Sequence, residues 1–413
     1  MNLSKKTIII SLAGLILLLG GIIAFLLCRT SPNTVKIAFH KIPQEQEEII
    51  RSILIGSVDD NGKTSFKFFD KTEQPKKADI VFTQMGLSAD RLIESIPENN
   101  RNKIFFDAEI ISNTSMSAAE FALNSKGSGN KKVSQVPLYF DGYELLISIQ
   151  ALSETKTEYV SSWTEIEDLA SKAKTSASGI TFAGGDADTL LAVISAITES
   201  FDGKEKYNAI IERIKEYDGP MENLMETLLI EDESFHDAIY RISAWKKKGL
   251  INPEILSKTN EDILKVIELY KTAIIIMPLS EHRKLPISIA KYLTTLPIHS
   301  NETNFYFPSM RPLNTRSLIA PAVAMISLSK SKEAKKAVGH LMSQEAQEVI
   351  AFKTGLAPFL ANSKIPDIQS DDLRFWIAAT SEPSLPIGAA AFSDEKKKED
   401  FAEAIRKFIL DSK

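Results

Sequence analysis

From Thr7 to Cys28 the chain carries no charged side chain, and Lys5 and Lys6 stand immediately before the run. About twenty apolar residues are enough to cross a bilayer core as one helix, so this segment constrains the chain before anything else does. A signal-peptide core is usually about 7–15 residues long and ends in small residues, whereas here Ile22, Ile23, Ala24, Phe25, Leu26 and Leu27 prolong it. A buried core helix would carry a polar face, and this run has none. The lysines ahead of it favour an N-terminus held inside, which places Arg29 and all that follows outside the cytoplasm. Cys28 is the only cysteine. It stands where a lipid-modified cysteine would begin a mature lipoprotein, but Leu27 is larger than such a signal prefers, and cysteine in an apolar segment often acts as a small hydrophobe. The preferred reading is an uncleaved transmembrane anchor over residues 1–30, with a lipoprotein signal as the alternative.

The remainder is long for one core and suggests two lobes. It contains no cysteine and so no disulfide, and the chain's 44% hydrophobic residues is ordinary for a globular protein. A formal charge of -5 argues against a nucleic-acid partner, which would want a basic face. The clusters Lys246–Lys248 and Lys396–Lys398 read as solvated helix faces.

After a polar spacer, Val35-Lys36-Ile37-Ala38-Phe39 alternates as a strand does, and Gln44 to Leu54 reads as a helix. Strands are expected at Phe66–Phe69, Ala78–Phe82, Gly179–Ala183, Thr272–Met277 and in the apolar run Ile319–Ser327. Helices are expected at Ala89–Ile96, from Thr164 (as N-cap) to Lys174, and at Asp186–Ser200, Tyr207–Tyr217, Ser234–Lys248, Glu261–Lys271, Ser331–Met342 and Ala346–Thr354. The stretch Val136 to Ile147 is a strand interrupted at Asp141-Gly142, a place where the chain can pass from one lobe to the other. Strands alternating with helices indicate an α/β architecture with largely parallel sheets.

Catalytic patterns are absent or weak. His40, His236, His282, His299 and His340 are scattered without zinc-ligand spacing, and neither a phosphate loop nor a nucleophile elbow occurs. Gly184-Gly185-Asp186 is a strand-to-helix turn with Asp186 as a helix cap, and its backbone N–H groups could also face a ligand. Trp163, Trp245 and Trp376 sit among apolar neighbours and read as core residues before sugar-stacking ones. Asp141 is open between a ligand contact and a turn with Gly142.

In order and spacing, several stretches resemble the extracellular solute-binding proteins of bacterial ABC importers, the class that includes maltose-binding protein. They are Val35–Phe39 with the helix after it, Ala78-Asp79-Ile80-Val81, Val136-Pro137-Leu138 with Tyr143–Leu146, Ser162–Leu169, Trp245–Pro253, Ser329–Ala334, and Glu345-Ala346-Gln347 leading to Thr354–Pro358. The resemblance implies a two-lobed type 2 periplasmic-binding fold with hinge crossovers. Its first lobe would hold residues 34–140 plus 321–379, and its second 143–318 plus 384–413. It implies a ligand-binding role for His40, Thr83, Gln84, Asp141, Asp186, Asp188, Ser280 and Glu281, with Phe140, Tyr143, Phe307 and Phe359 as aromatic contacts. No catalytic residue, metal or cofactor is implied. The partners would be a small solute such as a sugar, an ABC permease and the membrane, with the receptor a monomer. Thr83, Asp188 and Ser280 stand where oligosaccharide binders often carry aromatics, which argues against a long sugar. The rival functions are a tethered sensor or scaffold that reuses the fold, and an extracytoplasmic glycan hydrolase built on paired carboxylates. Mass spectrometry of the membrane-extracted protein is expected to return the intact N-terminal segment with Cys28 unmodified; a mature chain beginning at a diacylated Cys28 would establish the lipoprotein.

Overall fold

Val35, Ile37 and Phe39 share one face of an extended segment and Ala38 the other, and all four are buried. A strand covered on both faces shows this composition. In the computed structural model they lie in β1 (Asn33–His40). The structure describes residues 33–57, 64–69, 75–129, 131–157, 160, 162–173, 179–269, 272–297, 318–365, 368–379 and 383–412. Cys28, Phe307 and the apolar run Thr7–Cys28 lie outside these residues. Among the described residues no helix is long and apolar enough to cross a membrane.

The other strands are β2 (Thr64–Phe68), β3 (Ile80–Gln84), β4 (Phe106–Asp107), β5 (Lys132–Val133), β6 (Gln135–Phe140), β7 (Tyr143–Ser148), β8 (Ile180–Phe182), β9 (Ile274–Pro278), β10 (Leu293–Pro297), β11 (Ala322–Ser327) and β12 (Ala357–Pro358). They form a six-stranded sheet in the order β12-β6-β11-β3-β1-β2, a four-stranded sheet in the order β10-β7-β9-β8, and a ribbon of β4 with β5. β1 pairs in parallel with β2 and β3, but β11 runs antiparallel to β3 and β6, and β12 antiparallel to β6. In the smaller sheet only β8 and β9 are parallel. The expectation of largely parallel sheets is therefore corrected to mixed ones. β6, β7 and β11 adjoin segments that pass between the sheets, so they are not tied to the parallel direction that a βαβ crossover imposes.

Each sheet has its own core. The first gathers Val35, Ile37, Phe39, Ile80, Phe82, Leu138, Met325 and Val338, with Ala38, Val81 and Ile326 packed on the opposite face. The second centres on the helix Ala187–Asp202, whose Leu190, Leu191, Val193, Ile194 and Ile197 are fully buried. A helix apolar on all sides must be surrounded, and Glu233–Lys247, Ile387–Ala391 and Glu395–Asp411 pack against it. Trp163 and Trp245 meet in this core at 5.9 Å between ring centroids, their indole N–H groups donating to Ser200 and Glu167. Trp376 is buried in the first core. The helix Trp163–Lys172 is capped by Ser162 rather than Thr164, in a reciprocal pair with Glu165.

Three segments cross between the sheets side by side. The N–H groups of Asp141 and Tyr143 donate to the carbonyls of Pro321 and Ile319, at 2.8 and 2.9 Å. Ala320 and Ser384 exchange with Ser384 and Leu318, at 2.9 Å each. Beyond the crossings the sheets' partner elements touch: Gly86 has φ +122°, and a Cβ there would stand 2.1 Å from the Ala389 carbonyl oxygen. Gly86→Ala is expected to cost about 1–3 kcal/mol and to separate the helices Leu87–Glu94 and Ile387–Ala391. Urea denaturation and small-angle scattering test this, and an unchanged midpoint together with an unchanged radius of gyration would contradict the contact.

Candidate functional site

Strands that end at a common crossing turn their following loops toward one another, and ligands of α/β sheets settle outside such strand ends. A cavity of about 410 Å³ lies there, bordered by Gln84, Asp141, Tyr143, Asp186, Asp188, Ser280 and Glu281. Gln84 ends β3, Asp141 and Tyr143 flank the first crossing, Asp186 and Asp188 open the helix after β8, and Ser280 and Glu281 follow β9. Across Asp141, Ser280 and Glu281 a second cavity of about 600 Å³ opens, bordered also by Gln46, Arg283 and Phe352.

The remaining residues named from the sequence lie elsewhere. His40 and Thr83 face each other in the β1–β3 pairing and do not border the cavity. Burial and the adjacent Lys41 hold the His40 imidazole below its usual pKa. Thr83 is fully buried. Phe140 and Phe359 are 1% and 2% exposed and pack with tilted rings in the first core, Phe140 also against Phe121. They border a separate recess of about 200 Å³, because the alternation of β6 turns Phe140 inward. Phe307 lies outside the described residues.

Asp141 accepts a hydrogen bond from the Ser280 backbone N–H at 2.8 Å. Burial, with Glu281 and Glu144 adding repulsion, pushes its carboxyl up to about 6 against that opposing bond. Asp186 occupies the N-cap position of Ala187–Asp202 but makes no side-chain cap. Its carboxylate instead accepts the Asn260 N–H at 2.8 Å, and burial raises its pKa, with Glu281 and Asp188 adding to the shift. The Gly184 and Gly185 N–H groups donate to Ile255 and Lys258, and their carbonyls accept from Arg406 at 2.8 Å each. These donors are thus spent within the fold rather than offered to a ligand. A Cβ on Gly185 would stand 2.7 Å from the Lys258 carbonyl oxygen, so glycine here permits close backbone packing.

The sequence reading missed the C-terminal helix as a wall of the site. Glu395, Lys398 and Glu399 border the cavity, and Lys398 is 9% exposed, not the solvated residue its cluster suggested. Its ammonium meets Asp188 at 2.8 Å and Glu395 at 2.7 Å. Burial alone would lower its pKa, but these two carboxylates prevail and raise it. Glu395 also meets Lys41 from the far side of the cleft at 2.6 Å. Behind Asp141 a buried pair, His282 Nδ1 with Glu144 Oε2 at 2.8 Å, joins the short helix after β9 to β7. Among the described residues no group of three His, Cys, Asp or Glu side chains could hold a metal ion.

Asp141→Asn keeps an acceptor for Ser280 and removes a carboxylate whose folded pKa stands above its unfolded value. The charge is costly only where the unfolded chain ionises, so the substitution is expected to stabilise the protein by roughly 1–3 kcal/mol at pH 7.5. Below about pH 4 both states are protonated and the gain vanishes. Denaturation at both pH values checks the sign.

No protein-family model matches the sequence, and no curated protein matches it. Solved structures do match in fold. The bacterial solute receptor AcbH, described as preferring β-D-galactopyranose, superposes with a TM-score of 0.68 at 13% identity, over 93% of this chain and 94% of its own. RafE from Streptococcus pneumoniae gives 0.62 at 15% identity, over 92% and 94%. The acarbose-binding GacH receptor of Streptomyces glaucescens gives 0.57 at 14%, over 92% and 100%. The chain thus has the α/β fold of the bacterial solute receptors, a group that includes the maltose-binding proteins.

Proposed function

We propose that the chain is an extracytoplasmic solute receptor of an ABC importer, capturing a small polar solute between its lobes and presenting it to a permease. The observation that carries this reading is the cavity of about 410 Å³ between the two sheets, bordered by loops that follow strands of both. A ligand touching both lobes binds the closed arrangement better than the open one and shifts the population toward it. In this reading the lobes are residues 34–140 with 321–379 and 143–318 with 384–413, and they move about the crossings near Asp141, Ala320 and Ser384. The receptor acts as a monomer and catalyses nothing. An N-terminal anchor or a lipid on Cys28 would keep it near its permease, where local concentration replaces diffusion from a distant pool. Sugars are named for the similar structures.

The full chain in detergent is expected to melt higher in the presence of its solute, by an amount equivalent to about 2.7 kcal/mol when ligand stands at 100 times its dissociation constant. It is also expected to contract in small-angle scattering. A screen of sugars, amino acids, polyamines and phosphorylated compounds that moves neither quantity would refute the receptor reading and favour the sensor or scaffold.

A further inference from the structure

The cavity wall is unbalanced in charge. Asp141, Asp186, Asp188, Glu281, Glu395 and Glu399 border it, against Lys398 as the one cation among the bordering residues. Most of the carboxylates find partners in or behind the wall. Lys398 holds Asp188 and Glu395, Lys41 holds Glu395, Lys284 holds Glu281 at 2.7 Å, and Arg406 holds Glu399 at 2.7 Å. Asp141 and Asp186 are left over. Each is held by a backbone N–H, and neither forms an ion pair among the described residues. Glu281 repels both, so the two carboxylates share one acidic field. Asn260, which also borders the cavity, keeps a buried Oδ1 with no hydrogen-bond partner among the described residues.

The charged side chains left without an ion-pair partner in this wall are acceptors, while its open donors are neutral: the Gln84 amide and the uncapped N–H groups at the start of the helix Ala187–Asp202. The Asn260 side-chain amide already donates to Thr189, and the N–H groups of Ser280 and Asn260 are spent on the two aspartates. Tyr143 is the one aromatic residue bordering the cavity and is 4% exposed, so it offers little face for a sugar ring to stack on. An anion meets repulsion from six carboxylates against one ammonium. A primary ammonium group, with three donors, a positive charge and no acceptor, fits each of these conditions.

We propose that the cleft selects a solute bearing a primary ammonium group, a polyamine or an amino sugar, which is held between Asp141 and Asp186. This rests on the receptor reading and narrows its ligand. The second cavity beyond Ser280 leaves room for a ligand longer than one ring.

Titration calorimetry on the full chain in detergent tests it with spermidine, glucosamine, N-acetylglucosamine and galactose. Glucosamine and N-acetylglucosamine share a ring and differ in the charge, so this comparison needs no variant. Spermidine or glucosamine is expected to bind at least about tenfold more tightly than either neutral sugar, and to weaken with added salt. Asp186→Asn is expected to weaken the ammonium ligand at least about tenfold with the unliganded melting point not lowered. Binding of a neutral sugar as tightly as glucosamine and spermidine, or galactose alone, would overturn the ammonium proposal and leave the receptor reading standing. Failure of all four to bind would overturn the proposal, while the wider solute screen would still judge the receptor reading by itself.

Discussion

Three backbone segments hydrogen-bonded edge to edge hold this molecule in one piece. Asp141 and Tyr143 on the first, Ile319, Ala320 and Pro321 on the second, and Ser384 on the third are joined by backbone bonds of 2.8–2.9 Å. Buried backbone groups must find partners, and here most of them find them in one another, which fixes the relative height of the two sheets. Side chains reinforce the junction: Ser384 donates to the buried Glu199 at 2.7 Å, and the Ile387 N–H donates to Ser195. The strand ends consequently converge on one place, and the cavity follows from that convergence.

The chemistry of the cavity follows from what the convergence brings together. Carboxylates gathered in a partly buried wall repel one another unless cations intervene. Lys398 intervenes for Asp188 and Glu395 from a helix packed on the second core. The Lys41–Glu395 pair then spans the cleft itself. The charged groups left without an ion-pair partner, Asp141 and Asp186, are acceptors, and that is a property of the assembled wall rather than of any one loop.

Much of the fold can be read from periodicity. Alternation in Val35–Phe39 and the break at Asp141-Gly142 both have structural counterparts, the latter as the passage from β6 in one sheet to β7 in the other. Gln84, Asp141, Asp186, Asp188, Ser280 and Glu281, named through loops that follow strands, border one cavity, because strand order sets where such loops emerge. Phe140 and Phe359, named as aromatic contacts, lie instead in the first core, where the inward face of the strand decides. Thr83 lies within the sheet and does not border the cavity. Lys398 was illegible because its partner Asp188 is 210 residues away and its neighbours Lys396 and Lys397 are exposed. Strand direction was illegible for a related reason, since it depends on which sheet a returning segment joins.

The C-terminal helix carries a consequence for how the protein comes into being. Phe401, Ile405 and Ile409 close the second core against elements that begin near Tyr143, and the first core needs Met325, Val338 and Leu373 from the last third of the chain. A nascent chain that has emerged only as far as residue 300 possesses complete strands of both sheets and the finished core of neither. Its exposed apolar surface must wait for the helix Glu395–Asp411, so this topology couples successful folding to synthesis of that helix and leaves chains cut short before it open to aggregation and degradation.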